Sequence, residues 1–536
     1  MWSNKTHKLF NLSKILYNSN IYEFWLKSRQ TETILHNIND PWVGEANLAD
    51  AIFQGRYNFA GEEINAPNTP LWEPSGVGPW WIAEMHGFSW LRHFKARDGR
   101  AARQHARALI VNWIKNGHNK WNDTSWKIDI IGRRISSWIA YADMLQENAD
   151  RKFIESFFKL LTTQSIHLSK IIKKYENKPE IFTGLRGLLI SGTSLSRGEK
   201  RYEQAKKILV SSLNKQILND GCHISCQPSI TLDILTDLIW IKNALFENDD
   251  LKELIDTHIT RISHAIRSLR MGDGTLTRAN GGRASSRDAI DKVLEKTGIK
   301  LRSKISTSLS ISGFERLTAG RSIIILNCTN TENSKYKGTL SFEMSIGRDK
   351  LITNCGPSPN NDIEWQKALS SSAAHSTLVI ANTNSSSSEK KRTPKITVKR
   401  EATTGNELIS TSHDGYKNIY SAIHKRILKL DSRGIKLNGN DIIISGPKIK
   451  FKIHFHVHYR VNLQLTRNKE RILLLLPSGG WEFSIVNTNI NYNIDIEPSI
   501  YLEDNGVRKN TNQFIISGET INSGTQIEWC FKKTTL

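Results

Sequence analysis

The stretch MGDGTLTRANGGRASSRD, residues 271–288, divides the sequence into two parts of different character. Its four glycines and its many polar residues cannot continue a helix. The stretch therefore predicts a linker or a loop that lines a cleft. We place a domain boundary near residue 300, where the helical pattern has ended.

On the N-terminal side of this stretch, apolar residues recur at helical spacing from about Gly78 to Met271. The joins between the apolar segments are short and polar. Successive antiparallel helices of this length predict helical hairpins packed side by side, as a bundle or a toroid. The predicted helices cover residues 101–115, 135–145, 153–172, 185–195, 202–218, 230–245 and 251–269.

On the C-terminal side, short β-rich runs alternate with turns, which is typical of a sandwich of sheets. The clearest run is 449–461, where apolar residues alternate with Lys450, His454, His456 and His458. Alternation predicts one core face and one face that is wet or functional. The Ser-rich segment 382–394 predicts a solvated, mobile loop. The predicted strands are residues 321–326, 339–346, 376–380, 407–412, 422–430, 449–461, 471–476 and 526–531.

The net charge narrows the classes of partner. Lysine and arginine total 74 against 52 acidic residues, a formal charge of +22. Such a charge favours polyanions: nucleic acid, anionic lipid or acidic polysaccharide. An AT-rich genome also raises the lysine content, and that explanation stays open. We find no run of five basic residues, no zinc-finger spacing and no aromatic RNA-binding strand, which argues against specific nucleic-acid binding.

The cysteines and the N-terminal segment indicate whether disulfides, an export signal or a membrane span are expected. Five scattered cysteines do not form a disulfide framework, so reduced thiols are expected. Cys222 and Cys226 flank His223, but no third and fourth metal ligand lies near them in the sequence. Lysines interrupt the first thirty residues, so no signal peptide is evident. No apolar run reaches the length of a membrane span.

Several segments, in their order along the chain, resemble the heparinase II/III-like family of bacterial polysaccharide lyases. They cover more than 400 residues, so the order of the segments is more specific than any one of them. The segments are HGFSWLRHF (86–94), GRRISSWI (132–139), NDGCHISCQPS (219–229), SGFERLTAGRSIIILNC (312–328), GTLSFEMSIGRDKLITNCG (338–356), NCGPSPNNDIEWQKALSSSAAHSTLVIANTNS (354–385), SHDGY (412–416) and LPSGGWEFS (476–484).

This resemblance implies an α+β multidomain chain. An N-terminal extension (1–77) would lead into an incomplete α/α toroid (78–300), followed by an antiparallel β-sandwich (301–536), with the active site in the cleft between the last two. The family is typically found in the bacterial envelope or periplasm. Because no export signal is evident, the cytoplasm stays open as the alternative location.

The resemblance also implies a reaction. Lyases of this kind cleave a glycosidic bond beside a uronic acid by β-elimination. A cation or amide neutralises the uronate, a base removes the C5 proton, and an acid protonates the leaving oxygen. No cofactor is required for these steps.

Two histidines are the predicted catalytic residues. His375, in AAHSTLVI, matches the family's His-x-Thr strand motif. His223 follows the turn at 219–221 at the start of a helical segment, where the family places active-site residues. The alternatives are a histidine satisfied inside the sheet and a structural histidine in a turn.

Substrate contacts are predicted from two groups of residues. Arg134 and Trp138 are four apart and share a helix face beside Arg133, so a guanidinium would grip the carboxylate and an indole would stack on a sugar. His86 and Trp90 have the same spacing. The alternatives are a solvated arginine above a core tryptophan, and a core-facing aromatic stripe.

Two further features of the sequence concern a zinc site and the retention of catalysis. His375 and His424 fit the two histidine positions of a zinc site in related sandwiches, so a structural zinc ion stays open. The chain departs from the family where an Asn-His pair is expected (177–189) and where a tyrosine is expected (229–231). These departures support an alternative function, a non-catalytic protein of the cell envelope that binds an acidic glycan.

The leading prediction is therefore a lyase that degrades a uronate-containing, glycosaminoglycan-like polysaccharide. A third hypothesis, a basic protein that coats anionic lipid or nucleic acid, needs only the net charge. The sequence predicts neither the particular polysaccharide, nor endolytic or exolytic action, nor the oligomeric state.

Overall fold

A computed structural model describes residues 17, 19, 22, 31–67, 72–299, 305–330, 334–357, 362–385, 393–403, 406–468, 470–504, 506–522 and 524–534. The chain divides into two compact units, residues 1–216 with 234–259 and residues 217–233 with 260–536. The boundary predicted at 301 and residues 386–392 of the predicted loop lie outside the described residues. The predicted domain boundaries stay predictions.

The first unit is built from helices, with one small hairpin of β1 (Arg56–Phe59) and β2 (Glu62–Asn65). All seven predicted helical segments contain helix, although residues 135–145 span the end of one helix and a second, short one. None of the described helices combines the length and apolar character needed to cross a membrane. The helices up to residue 268, the last two shared with the second unit, are Ala46–Phe53, Pro79–Gly87, Leu91–Arg97, Gly99–Lys115, Ile128–Ala140, Ala142–Gln146, Arg151–Ile171, Ile181–Ser194, Glu199–Gln216, Pro228–Ala244 and Leu251–Ser268.

Two glycines bring a central pair of helices into direct backbone contact. A Cβ atom at Gly132 would lie 2.1 Å from the carbonyl oxygen of Thr183, and one at Gly187 would lie 2.6 Å from the Cα of Gly132. Residues without a side chain therefore set the distance between helices Ile128–Ala140 and Ile181–Ser194.

The second unit contains two large antiparallel sheets. Among the described residues, one sheet has the strand order β14-β15-β16-β19-β12-β11-β10-β9. The other has the order β17-β18-β13-β7-β6-β5-β4-β3, with β8 paired to β13. The strands are β3 (Ser308–Leu309), β4 (Phe314–Ala319), β5 (Ser322–Asn327), β6 (Phe342–Ile346), β7 (Asp349–Thr353), β8 (Leu378–Ile380), β9 (Ile396–Thr403), β10 (Asn406–His413), β11 (Ile423–Asp431), β12 (Lys436–Ile444), β13 (Lys450–Val457), β14 (Asn462–Leu465), β15 (Arg471–Leu476), β16 (Gly479–Thr488), β17 (Tyr492–Leu502), β18 (Arg508–Glu519) and β19 (Thr525–Lys533).

Three short helices of this unit were not predicted: Arg287–Lys296, Ile363–Ser370 and Lys417–Tyr420. The first two have N-terminal caps that the sequence does contain. The Ser286 hydroxyl accepts from the amide of Ala289, and the Asp362 carboxylate accepts from the amides at the start of its helix. Serine or aspartate before a short apolar pattern was the missed signal.

The histidine face predicted for β13 is partly wrong. Lys450 is exposed, but His454 and His456 are 5% and 2% exposed. His454 Nδ1 lies 3.0 Å from the Gln513 side chain, and His456 Nε2 donates to the Ala373 carbonyl at 2.8 Å. The neighbouring strand and the turn before β8 cover this end of the face, so its histidines are interior hydrogen-bonding groups.

A buried ionic network lies between β11, β12 and β19. The Asp441 carboxylate accepts from Arg426 Nε at 2.8 Å and from Trp529 Nε1 at 2.8 Å, and it lies 2.7 Å from His424 Nε2. Asp441 and Arg426 face each other in the ladder, and the side chains of both are fully buried. Burial opposes ionisation of Asp441, but the Arg426 charge and the His424 bond hold the pKa of Asp441 well below its usual value.

Candidate functional site

His375 lies between the 3₁₀ turn Ser372–Ala374 and β8, and it is 2% exposed. Its Nδ1 is 2.7 Å from the carbonyl oxygen of Ser371. Because a carbonyl oxygen only accepts hydrogen bonds, the ring proton of neutral His375 lies on Nδ1. The lone pair is therefore on Nε2, which is the arrangement that a base requires.

A tyrosine that was not predicted faces His375. The rings of Tyr336 and His375 lie edge to face, with centroids 6.2 Å apart. A Cβ atom at Gly281 would come within 2.0 Å of Tyr336 Cζ, and one at Gly338 within 2.5 Å of His375 Cδ2. Two glycines thus leave the space that the two rings occupy. Tyr336 lies outside every periodic segment of the sequence, so no pattern identified it.

The turn that carries Gly281 is clamped by amide hydrogen bonds. Asn280 adopts a left-handed backbone conformation, with φ 54°. Its Nδ2 donates to the Cys226 carbonyl at 2.9 Å, and its Oδ1 accepts from Asn327 Nδ2 at 3.0 Å. Because Asn280 is fully buried, these bonds fix the turn beneath Tyr336.

A second chain of hydrogen bonds joins the 277–281 turn to the strand of His375. The Glu343 carboxylate accepts from the backbone amide of Arg278 at 2.7 Å and from Asn354 Nδ2 at 3.0 Å. Asn354 Oδ1 accepts in turn from the amide of Ser376 at 3.0 Å. The network therefore links the turn beside the Tyr336 ring to the residue that follows His375.

Burial sets the protonation states of this pair. It lowers the pKa of His375 to about 4, although the Ser371 carbonyl acts in the opposite direction. It also raises the pKa of Tyr336 above its usual value. At neutral pH the pair is a neutral imidazole with a lone pair on Nε2 and a protonated phenol. His375 Nε2 can therefore accept a proton, and the Tyr336 hydroxyl can donate one.

His223 lies in the same unit, in the turn before helix Pro228–Ala244, and is 2% exposed. Its Nδ1 accepts from the amide of Ser225 at 3.1 Å, so the ring proton lies on Nε2. Burial lowers the pKa of His223 to about 4. His223 therefore has the opposite tautomer to His375, and its catalytic role stays a prediction.

The substrate contacts predicted for Arg134 and Trp138 are wrong, because both side chains have no exposed surface. Arg134 donates to the carbonyl oxygens of His86 at 3.0 Å and Ser125 at 2.9 Å. Arg133 is part-exposed, at 29%, and lies 3.2 Å from the Glu84 carboxylate. Of these three residues only Arg133 is part-exposed, and its role stays a prediction.

His86 and Trp90 form a core-facing aromatic stripe, which was the alternative to substrate contact. They are 0% and 3% exposed. Trp90 Nε1 donates to the carbonyl of Met85 at 3.0 Å, and Trp113 Nε1 donates to His86 Nδ1 at 2.9 Å. The prediction that they contact substrate is wrong, because the aromatic core of the first unit encloses them.

In the described ranges, Glu73, His86 and His118 are the three side chains whose ligand atoms come within 4.8 Å of one another. The indole of Trp113 can only donate, so neutral His86 keeps its proton on Nε2. A protonated nitrogen cannot ligate a metal ion. This group is therefore unsuited to zinc, although its spacing alone would allow an ion.

The structure also offers little support for the predicted zinc site of His375 and His424. No three-ligand group in the described part of the chain includes His375 or His424. His424 Nε2 lies 2.7 Å from Asp441 and its Nδ1 lies 3.3 Å from His413 Nε2, while His375 Nδ1 is held by Ser371. The ring nitrogens of His424 are thus engaged by protein groups, which argues against a shared ion.

The buried histidines should make the second unit sensitive to acid. Burial lowers the pKa of His223, His375, His454 and His456 to about 4, whereas unfolded histidine titrates near 6.5. Between those values the unfolded chain binds more protons than the folded one. Each of these histidines therefore lowers the free energy of unfolding by about 1.4 kcal/mol for every unit by which the pH decreases. We expect Tm at pH 5 to be at least about 5 °C below Tm at pH 7.5 in calorimetry at constant ionic strength. An equal Tm would contradict the burial of neutral histidines.

Comparison with known proteins matches the β-rich part of the second unit to a family model. Residues 302–530 match the model of the heparinase II/III-like C-terminal family. These residues form a heparinase II/III-like C-terminal domain. His375, Tyr336 and Gly338 lie within the matched region, and Gly281 lies before it. The family resemblance inferred from the sequence segments is thereby confirmed.

Solved structures extend the likeness in fold to the helical half of the chain. A crystal structure of heparinase III superposes with a TM-score of 0.76 at 14% identity, covering 99% of this chain and 91% of that one. A heparan sulfate lyase HepC mutant from Pedobacter heparinus gives a TM-score of 0.64 at 14% identity, covering 95% and 86%. This likeness confirms the predicted fold class, an α/α toroid followed by an antiparallel β-sandwich.

A curated relative is similar over most of its length. FtsZ-localized protein C from Caulobacter vibrioides (strain NA1000 / CB15N) is 27% identical over 486 residues, which cover 84% of this chain and 81% of that protein. Its name describes a location and no reaction.

Proposed function

We propose that this chain cleaves a uronate-containing acidic polysaccharide by β-elimination, with His375 as base and Tyr336 as acid. The observation that carries the proposal is the pair itself, a neutral imidazole with its lone pair on Nε2 and a protonated phenol whose ring centroids lie 6.2 Å apart. The pair lies within residues 302–530, which match the heparinase II/III-like C-terminal model.

The proton transfers balance with these two residues. His375 Nε2 takes the C5 proton of the uronate, and the freed electron pair forms the C4=C5 double bond. The C4–O4 bond breaks, and Tyr336 gives its phenolic proton to the departing O4. Proton transfer by a positioned side chain contributes roughly 10²–10⁴-fold to a rate.

The uronate carboxylate needs a cation, and the buried Arg134 cannot supply it. We propose Lys337, the neighbour of Tyr336 in the chain. Its backbone is held on both sides, by the carbonyl of Ser370 at 2.8 Å and the hydroxyl of Ser372 at 2.7 Å. Burial lowers the pKa of the Lys337 ammonium, because that cation is poorly hydrated. A bound carboxylate would stabilise this ammonium in place of the water that it has lost.

The substrate class and the location are supported by the net charge and by the relatives. A charge of +22 suits a polyanionic glycan, and the similar structures are titled heparinase III and heparan sulfate lyase. We propose the bacterial cell envelope as the place of action. No metal or other cofactor is needed for the proposed steps.

The proposal is tested by ultraviolet absorbance. The intact protein is incubated with a panel of uronate polysaccharides that includes heparan sulfate, hyaluronan, alginate and polygalacturonate. β-Elimination creates an unsaturated uronate that absorbs in the ultraviolet, so we expect absorbance to rise with at least one polymer. Measurable binding without any rise in absorbance would reject the lyase.

Binding without a rise in absorbance would support the alternative function, a protein that binds an acidic glycan without cleaving it. Two observations favour it: the predicted carboxylate-binding Arg134 and sugar-stacking Trp138 are fully buried, and the name FtsZ-localized protein C describes no reaction. A binder would retain affinity for the polymer while the polymer's length, measured by size-exclusion chromatography, stays constant.

A further inference from the structure

A groove on the second unit lies apart from the Tyr336–His375 pair. It has a volume of about 1360 Å³ and is open to solvent along β13, β18 and the start of β17. Lys450 begins β13, and His456, whose amide donates to Ser376 beside His375, lies six residues further along the strand. Val379 also lines the groove and follows His375 by four residues, so at about 3.3 Å per residue the near end of the groove lies at most about 13 Å along the chain from the pair.

Cations line one side of the groove. Lys448, Lys450 and Lys452 alternate along the chain, so neighbours are about 7 Å apart. Lys448 pairs with Glu519 at 2.8 Å, and Lys452 lies 3.8 Å from Glu497. Lys450 is exposed and makes no ion pair within 4 Å among the described residues, although it stands opposite Glu519 in the ladder and helps to lower the pKa of that carboxyl. It is the lysine of the three with the freest charge.

The floor and the opposite side carry uncharged polar groups. Lys452, Ser517 and Asn493 stand opposite one another across three neighbouring strands, so their side chains share a face of the sheet. In the described part of the chain, the side chains of Asn491, Asn493 and Ser517 make no hydrogen bonds within the protein. Amides and a hydroxyl are therefore free beside the lysines.

One end of the groove is a tight, strained turn. Ala381 and Asn382 both have positive φ, 46° and 56°, and alanine adopts this conformation at an energetic cost. The amide of Ala381 donates to the Lys450 carbonyl at 2.9 Å. This bond ties the turn to the free lysine, so that end of the groove is formed before any ligand arrives.

We propose that this groove binds an acidic oligosaccharide, separately from the Tyr336–His375 pair. Widely spaced ammonium groups suit carboxylate or sulfate groups carried on successive sugars, while amides and a hydroxyl suit sugar hydroxyls. The volume accommodates several sugar rings. The proposal takes its ligand class from the proposed function, but it holds for a lyase and for a non-catalytic binder alike.

The test measures binding to an array of acidic oligosaccharides, six to eight sugars long, from heparan sulfate, hyaluronan, alginate and polygalacturonate. The full-length protein with His375→Ala is used throughout, so that no ligand is cleaved. Into it are introduced Lys450→Glu, Asn493→Ala or the control Lys429→Glu. Lys429 is exposed on β11 of the other sheet and undergoes the same change of charge.

We expect Lys450→Glu to raise Kd at least tenfold for the oligosaccharides that bind, Asn493→Ala to raise it about threefold, and Lys429→Glu to change it less than twofold. Equal effects of the two charge reversals would overturn the proposal, and so would the absence of binding across the array. Tighter Lys450-dependent binding to a DNA duplex than to any oligosaccharide would also overturn it. Turnover of a uronate polysaccharide by the intact protein, which retains His375, tests the lyase separately.

Discussion

Replacing His375 with alanine should lower kcat for the unsaturated product at least about 100-fold, with much less effect on KM. The variant retains Tyr336 as acid but has no Nε2 lone pair to receive the C5 proton. Continuous ultraviolet absorbance with the best polymer of the panel measures the loss. A variant that keeps more than a third of the activity would remove His375 from the mechanism.

Loss of activity must be separated from loss of structure, because His375 is buried. Tyr336→Phe removes one oxygen atom that makes no hydrogen bond among the described residues, so the fold should be retained while activity still falls at least about tenfold. His264→Ala, at a part-exposed position on helix Leu251–Ser268, is the matched control and should be neutral. Circular dichroism of each variant verifies folding.

The pH profile gives an independent reading of the same pair. The pKa of His375 is about 4, so its lone pair is fully available above that value and is lost as pH falls through it. The pKa of Tyr336 is raised, so its proton is retained well into the alkaline range. We expect kcat/KM to form a broad plateau through neutral pH. A fall centred near pH 6.5 would indicate an exposed histidine instead.

Replacing Asp441 with alanine should destabilise the second unit by about 3–5 kcal/mol. The substitution leaves Arg426 as a buried charge without a counterion, and it removes the acceptor of Trp529 and the partner of His424. Such a loss should lower Tm by roughly 10 °C for a unit of this size. Urea unfolding and calorimetry measure the two quantities.

Asp495→Ala is the matched control for this change, because Asp495 is exposed on β17. It should alter the free energy of unfolding by less than about 0.5 kcal/mol. The stabilisation from Asp441 is present above the pKa of an unfolded aspartate, near 4, and is lost only as pH falls through its much lower folded value. A loss below about 1 kcal/mol for Asp441→Ala would show that the network contributes little.

The wrong predictions of substrate contact share one cause. Arg134, Trp138 and His86 have the residue types and the spacing of a sugar-binding face, and all three are fully buried. Spacing along a helix specifies which side chains share a face, but not what covers that face. Gln164, Ser125 and Trp113, each in another segment, surround these residues.

By itself, the sequence determined the change from helices to strands across residues 271–288, the positions of the long helices and the family of the C-terminal domain. Periodicity and turn residues are local properties, and they are legible in a single chain. Only the tertiary structure paired Tyr336 with His375 and buried the histidines of β13. Those facts depend on contacts between residues far apart in the chain, where loops and burial, not periodicity, decide which atoms meet.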